Sequence, residues 1–338
     1  MERYRHLGSG YVDPVKLMPM RAAVIERYGE PPVVRDVPEP KAGGAGLIEV
    51  SVGALNPADI SIASGTFYAG SPPIPYVPGG EGVGRLLQNG KPGPRAFFRA
   101  LLPHGAFAER AVARDEPVPI PDAVPDGVAA ALGTPGFPAL LGLTKRAQLQ
   151  KGDTVLILAA SGVLGTIAIQ VARLLGAGRV IAAARDDRGL ARAKELGADA
   201  TVDLKQREGL TERIPEASGG QLNVVLDPVW GIPGAAAMEA MSPHGRFVQM
   251  GGAAGNEAVI KSGIVRGRPL SILGYSNFSM PWEELAAAYR QLLAYAAAGQ
   301  LKVEFEVVPL DAAPEAWKQQ ASSPHRKLVI SPQAQPKR

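Results

Sequence analysis

Residues 154–185 read TVLILAASGVLGTIAIQVARLLGAGRVIAAAR, and the way this stretch alternates decides the fold. The apolar run from Val155 to Ala160 has the length of a buried strand. The turn Ala160-Ser161-Gly162-Val163-Leu164-Gly165 follows, after which Leu164, Ile167, Ala168, Val171, Leu174 and Leu175 recur at helical spacing. Gly176 and Gly178 punctuate the helix end, and a second strand runs from Arg179 to Ala184. The result is a βαβ unit of about 30 residues. Its turn fits AxGxxG, with Ala160 in place of the first glycine of the dinucleotide fingerprint. Gly162 admits a pyrophosphate close to the backbone and Gly165 lets the helix pack on the strand. The helix N-terminus offers unpaired N–H groups and the positive end of its dipole. Ala160, Ser161, Gly162, Val163 and Leu164 are therefore the candidate phosphate-binding positions. A glycine-rich turn alone also serves merely to reverse a chain; the strand before, the amphipathic helix after and the second strand point to a nucleotide.

Composition bounds the rest. At 338 residues the chain exceeds one ordinary core, so two domains are expected. With 46% hydrophobic and 20% charged residues it reads as a globular protein rather than a disordered or fibrous one. No run approaches the 18 or so apolar residues that cross a bilayer, and the first twenty residues lack the apolar core of a secretory signal. Residues 1–19 read as a disordered extension ahead of a start at Met20, no membrane association is expected, and the expected compartment is the cytoplasm. The sequence contains no cysteine, which removes disulfides, thiolate metal sites and a catalytic thiol together. A net charge of +4, with scattered basic residues, does not suggest nucleic acid.

From Met20, RAAVIER, GLIEVSVGALNP, EGVGRLL and PRAFFRALL give short strands between Pro and Gly clusters, the pattern of a β-rich, barrel-like domain. Pro72, Pro73, Pro75 and Pro78 stiffen the segment before Gly79 into an extended loop suited to the rim of a cleft. A helical pattern spans Gly133 to Gln150. Beyond the βαβ unit come a helix from Arg188 to Leu196, strands at Asp199–Leu204 and Asn223–Asp227, and a helix near Ala235–Met241. Strands at Arg246–Met250 and Ser271–Tyr275 follow. Such alternation argues a mostly parallel sheet covered by helices on both faces. Pro281 to Ala298 reads as a long helix, with Gly299 after its end. KVEFEVVPL, the amphipathic stretch around Trp317 and KLVIS are expected to return to strand character and rejoin the first domain.

RAAVIERYGEP, NPADISIASG, VPGGEGVGR, KGDTVLILAASGVLGTIAIQVARLLGA, LGADATVDL and GRFVQMGG stand in an order that resembles the medium-chain dehydrogenase/reductase superfamily, in its zinc-independent quinone oxidoreductase-like branch. The resemblance covers roughly Met20 to Pro332. It implies an α/β fold in two parts. A Rossmann doubly wound parallel sheet over residues 141–284 binds the cofactor, and a GroES-like β-rich catalytic domain is formed from 20–140 and 285–338. Zinc-dependent relatives carry a Cys where this chain has the NPAD stretch, and a His before the Glu where it has Gly80-Glu81. They also carry a four-Cys lobe, whereas Gly90 to His104 is short and contains none. Zinc needs three or four N or S ligands, so no metal is expected. His6, His104, His244 and His325 are dispersed without ligand spacing.

NAD-specific Rossmann domains end the second strand in Asp or Glu, which bonds the ribose 2′-OH. Here Ala183-Ala184-Arg185 stands there, and Arg185, helped by Arg188, suits a 2′-phosphate, so NADPH is the expected cofactor. Asp186 either faces the ribose, which weakens that choice, or caps the next helix. The resemblance implies hydride transfer to a small-molecule substrate, a quinone or an α,β-unsaturated carbonyl compound. It sets Asn56 beside the nicotinamide, unless that residue is simply a turn Asn before proline. Tyr68, in SGTFYAG, falls where related reductases carry an active-site tyrosine, either hydrogen-bonding the substrate or lining the cleft by shape. Asp59, three residues after Asn56, is read as sharing its helix face, as an acid or a capping group. The resemblance also brings Thr134, Met250, Gly251, Gly252, Leu273, Gly274 and Lys327 to the cofactor. Two other functions remain open: an enoyl-thioester reductase, which needs a basic rim absent from the first domain, and a weakly catalytic NADPH-binding protein. The apolar strand SILGYS is expected at the edge of the Rossmann sheet, as the seam of a homodimer.

Overall fold

The computed structural model describes residues 19–334, so all but the last residue of the predicted N-terminal extension lies outside the described part. Before the fingerprint turn come β1 (Pro19–Val24), β2 (Val33–Pro38), β3 (Gly46–Ala54), α1 (Pro57–Ala63), β4 (Glu81–Gln88), β5 (Lys91–Arg99), β6 (Arg110–Ala113), β7 (Val118–Pro119), α2 (Asp126–Ala131) and α3 (Gly136–Leu141). The βαβ unit is β8 (Thr154–Leu158), α4 (Val163–Leu174) and β9 (Arg179–Ala184). Then follow α5 (Asp187–Glu195), β10 (Ala200–Asp203), α6 (Leu210–Ser218), β11 (Val224–Asp227), α7 (Gly231–Ala240), β12 (Arg246–Gln249), α8 (Ser262–Gly267) and β13 (Ser271–Gly274). The chain closes with α9 (Trp282–Ala297), β14 (Phe305–Pro309), α10 (Ala313–Ala321) and β15 (Lys327–Ser331). None of the described helices is long and apolar enough to cross a membrane.

Six strands pair in parallel in the order β10-β9-β8-β11-β12-β13. This is the doubly wound order, which reverses between β8 and β11 and leaves a crevice at the carboxyl ends of those strands. The Rossmann sheet expected from the alternation is present, and β13 lies at its edge. A second, seven-stranded sheet draws β3, β4, β5 and β7 from the first part of the chain and β14 and β15 from its end, with β6 paired to β3. The closing strands thus return to the β-rich part. One apolar cluster joins both sheets: Val83 and Phe97 from one and Val155 and Ile157 from the other pack with Phe137 and Tyr289 of the intervening helices. Phe97 stacks on Tyr289 at 4.1 Å, and the phenol of Tyr289 donates to the carbonyl of Ala129 at 2.7 Å.

Three local expectations change. The Trp317 segment is a helix rather than a strand, because Ala313, Ala316 and Trp317 are the buried positions, at i, i+3 and i+4. Asn56 and Asp59 do not share a helix face: Asn56 is the N-cap of α1, and its N–H donates to the Asp59 carboxylate at 2.8 Å. In the fingerprint turn the special position is Ala159, not Ala160. Ala160 N–H still bonds Ala183 at 3.0 Å, as in the sheet, so the reversal falls one residue earlier, and Ala159 takes φ 52°.

A left-handed alanine costs about 1 kcal/mol relative to glycine. Ala159→Gly is therefore expected to raise the melting temperature by about 2 °C without altering the secondary structure, measured by circular dichroism.

Candidate functional site

At the carboxyl end of β8 the turn Ala160–Gly162 leads into α4. Gly162 is the N-cap and supplies no side-chain acceptor, so the N–H groups of the first turn face the crevice uncapped. Gly165 packs so closely that a Cβ there would lie 2.5 Å from the Cα of Ala160. The start of α5 presses on the same turn, since a Cβ on Gly189 would meet that of Ser161 at 2.1 Å. Asp186 caps α5 by accepting from the N–H of Gly189, so its carboxylate is engaged in the helix. Arg185 and Arg188 are exposed beside it and have no ion pair among the described residues. A third cation absent from the sequence reasoning is Lys205, which follows β10 where that strand runs beside β9, and pairs with Asp187 at 2.6 Å.

Farther along the crevice, Asp227 ends β11 fully buried. Its Oδ1 accepts from Val229 N–H at 2.7 Å and Trp230 N–H at 2.8 Å, while Oδ2 has no partner among the described residues. Burial pushes this carboxyl up to about 6, against the pull of the two N–H groups. The turn it holds carries the next loop: Ala254 N–H donates to the Val229 carbonyl at 2.7 Å, and a Cβ on Gly251 would lie 2.6 Å from the Pro228 carbonyl oxygen. Met250, Gly251 and Gly252 are thereby fixed at the end of β12, beside half-buried Leu273 and exposed Gly274 on β13.

Beneath the crevice lies a group of charged and polar side chains with almost no solvent: Asn56, Asp59, Glu81 and Lys327 are 4, 5, 1 and 2% exposed. Lys327 Nζ donates to Asn56 Oδ1 and lies 3.9 Å from Glu81. Asn56 Nδ2 donates to Glu81 at 2.9 Å and to the Ala54 carbonyl at 3.2 Å. Glu81 also accepts from Thr134 N–H at 2.8 Å. Asp59 takes N–H groups from Asn56 and Gly80, yet burial pushes it up to about 6. Burial pushes the Lys327 ammonium down, opposed by Glu81 and Asp59. Both amide hydrogens of Asn56 are engaged inside this network. Beyond Thr134 the chain of bonds continues to the loop after β13, since Asn277 Nδ2 donates to the Thr134 carbonyl at 2.9 Å and Tyr275 donates to Asn277 Oδ1 at 2.9 Å. That loop meets Tyr68, whose hydroxyl lies 2.8 Å from Ser276 Oγ.

The structure thus gathers Ala160–Leu164, Met250–Gly252 and Leu273–Gly274 along one crevice, with Arg185 and Arg188 at one end and Tyr68 near the other. Asn56, Asp59 and Lys327 sit behind Thr134 rather than on the surface. Glu81 and Asp227 were missed as functional positions. The signal for Glu81 was a lone carboxylate amid glycine and valine, in GGEGVG.

The family profile described as "Zinc-binding dehydrogenase" matches residues 163–294. The bovine "Quinone oxidoreductase-like protein 2" is 31% identical over 263 residues, covering 75% of this chain and 74% of that protein. The chain belongs to the medium-chain dehydrogenase/reductase superfamily, in its quinone oxidoreductase-like branch. Among solved structures of similar proteins, the quinone oxidoreductase of Thermus thermophilus, also solved in complex with NADPH, is 31% identical. It aligns with a TM-score of 0.77 over 92% of this chain and 100% of that one. The quinone oxidoreductase of Pseudomonas syringae pv. Tomato is 26% identical, with a TM-score of 0.81 over 93 and 100% of the two chains. This medium-chain dehydrogenase/reductase carries its glycine turn at the carboxyl edge of the parallel sheet. Among its described residues, no group of three or more His, Cys, Asp or Glu could hold a metal ion.

Asp227 makes the site sensitive to pH. A carboxyl whose pKa is higher folded than unfolded supports the fold only while protonated; that support is full below about pH 4 and is lost as the pH rises through about 6. Asp227→Asn should escape this loss. In urea melts, the stability of the variant relative to the parent is expected to improve by about 2–3 kcal/mol between pH 4 and 7.5.

Proposed function

We propose that the protein is an NADPH-dependent reductase that passes hydride to a quinone or an α,β-unsaturated carbonyl compound without a metal. The observation that carries this reading is the uncapped N-terminus of α4 behind the Gly162–Gly165 turn, with Arg185 and Arg188 exposed after the end of β9 and without an ion pair among the described residues. The fit is steric as well as electrostatic, since a side chain at Gly165 would collide with the turn. In this reading N–H groups of Ser161–Leu164 hold the pyrophosphate, and Arg185 and Arg188 hold the 2′-phosphate. The nicotinamide end lies along Gly251, Gly252, Leu273 and Gly274, between a cofactor unit of 141–284 and a catalytic unit of 20–140 with 285–338. When bound, NADPH supplies a hydride, and the acceptor takes up that hydride and one proton as NADPH becomes NADP⁺.

The chain's own part is positioning. Thr134, bolted to Glu81 on one side and Asn277 on the other, fixes the floor against which the acceptor is held. Tyr68 offers its phenol to the acceptor oxygen, where negative charge develops. The metal-free reading is supported by chemistry at the buried cluster. The chain has no cysteine, the NPAD stretch and Gly80 stand where zinc-dependent relatives carry ligands, and the Lys327 ammonium bonded to Asn56 would repel a dication. The exposed edge strand β13, with Ile272 44% exposed, suits pairing with a second copy, giving a cytoplasmic homodimer with no membrane or nucleic-acid partner. Sedimentation at the mass of one chain would contradict the dimer.

The decisive experiment is initial-rate oxidation of NADPH and NADH over a panel of quinones, enones and enoyl thioesters, with and without chelator. The expected result is turnover with quinones or enones, a preference for NADPH and no effect of chelation. Arg185→Ala should raise KM for NADPH about tenfold or more while leaving NADH within about twofold. Tyr68→Phe should lower kcat more than it raises KM. Absence of turnover with every acceptor would defeat the reductase reading, and preference for NADH would defeat the role given to Arg185.

A further inference from the structure

Away from the crevice, the antiparallel ribbon of β1 and β2 borders a groove of about 500 Å³. Residues directly opposite in such a pair share a face, so the pairings Met20–Val37 and Ala22–Arg35 set Met20, Val24, Arg35 and Val37 on one side of the ribbon. That side faces the groove. Met20 and Val24 are 5 and 2% exposed and pack with Val37, Val77 and Ala108 into a small apolar cluster that forms the floor. A wall is made by Pro75–Val77 with Pro103 and His104. Backbone bonds fasten it: Ile25 N–H donates to the Tyr76 carbonyl at 2.8 Å, Tyr76 N–H donates to the Ile25 carbonyl at 3.2 Å, and Val77 N–H donates to the Pro103 carbonyl at 3.0 Å. Pro38 and Pro40, with φ fixed by their rings, complete the lip. The groove is thus formed in advance, and a ligand has little to order on entry.

Its charges are unevenly matched. Arg35 pairs with Glu26 at 3.0 Å, and Glu39, the one carboxylate of the lining, pairs with Arg110 at 3.1 Å. Lys41 is exposed at the lip and has no ion pair among the described residues. An apolar trough with one uncompensated ammonium matches a ligand with an apolar body and a single negative end. A lone point charge does not supply the several donors by which a phosphate is gripped. Size sets a further bound. At about 30 Å³ for each water-sized group of a liquid, 500 Å³ admits an acid of about ten heavy atoms with space left at the mouth.

We propose that this groove is a ligand site of its own, for an apolar monocarboxylate of medium-chain fatty-acid size, whose tail lies on Met20, Val24 and Val37 and whose carboxylate meets Lys41. Its lining shares no residue with the cofactor crevice.

The test uses octanoate and its uncharged counterpart 1-octanol. Dissociation constants are measured by isothermal titration calorimetry on the full chain, with and without NADP⁺, for the parent, Lys41→Gln and Val37→Trp. Octanoate is expected to bind the parent equally in both conditions. Lys41→Gln should weaken octanoate about fivefold and leave octanol within about twofold, and raising the salt from about 0.05 to about 0.5 M should weaken octanoate alone. Val37→Trp fills the trough from a strand position that accepts a large ring, and should weaken both ligands about tenfold or more. Hydrogen exchange read by mass spectrometry places the ligand whether or not that variant folds: octanoate should slow exchange in segments 33–41 and 101–105 and not in 159–165. Absence of octanoate binding, its loss on adding NADP⁺, protection confined to 159–165, or equal shifts of acid and alcohol in Lys41→Gln would each overturn the proposal.

Discussion

A lysine from the last strand, bonded to an asparagine that caps the first helix, is the contact on which the rest of the molecule depends. Lys327 and Asn56 lie 271 residues apart, and Glu81 closes the group from a third element. Removing such charges from water costs several kcal/mol each, so they persist only where they are paired and hydrogen-bonded. Here Asn56 commits its oxygen to Lys327 and both hydrogens to Glu81 and Ala54, and Glu81 accepts in addition from Thr134. The arrangement ties the closing strand to the opening of the β-rich sheet. Through Thr134 and Asn277 it also reaches the loop that faces Tyr68.

The other half of the crevice is built on different physics. Along β8 and β9 the backbone shapes the site: an uncapped helix end, and glycines at 165 and 189 where any side chain would strike the turn. On the β11 side a single buried carboxylate orders the turn at 228–230, and the loop holding Gly251 is laid on that turn. Polar backbone lies at one end of the crevice, open aromatic rings at the other and buried charge beneath, within the seven-stranded sheet.

What was legible in the sequence was local. The run from Thr154 to Arg185 announces strand, turn, helix and strand because each signal lies within a few residues of the next, and the capping role of Asp186 is equally short-range. The error within that stretch was one residue. Nothing in the letters tells Ala159 from Ala160 until the sheet bond of Ala160 shows which of them must turn. Trp317 misled because a short amphipathic helix between two strands carries too few turns to display its period. Glu81 and Asp227 were illegible as keystones for another reason. The meaning of Glu81 comes from partners 25 to 53 residues away or more, and that of Asp227 from a burial no local pattern reveals. Asn56 was singled out for a place beside the cofactor, and its geometry is that of a cap locked into a buried network.

Whether this network is one cooperative unit is tested most directly by a double-mutant cycle in stability on Lys327→Met and Glu81→Gln. Each single change strands a buried partner and is expected to cost about 3–5 kcal/mol in denaturant unfolding. The double variant should cost less than their sum by about 2 kcal/mol or more. Strict additivity of two small losses would contradict the account, since it would mean that Lys327 and Glu81 hold the two ends of the chain independently.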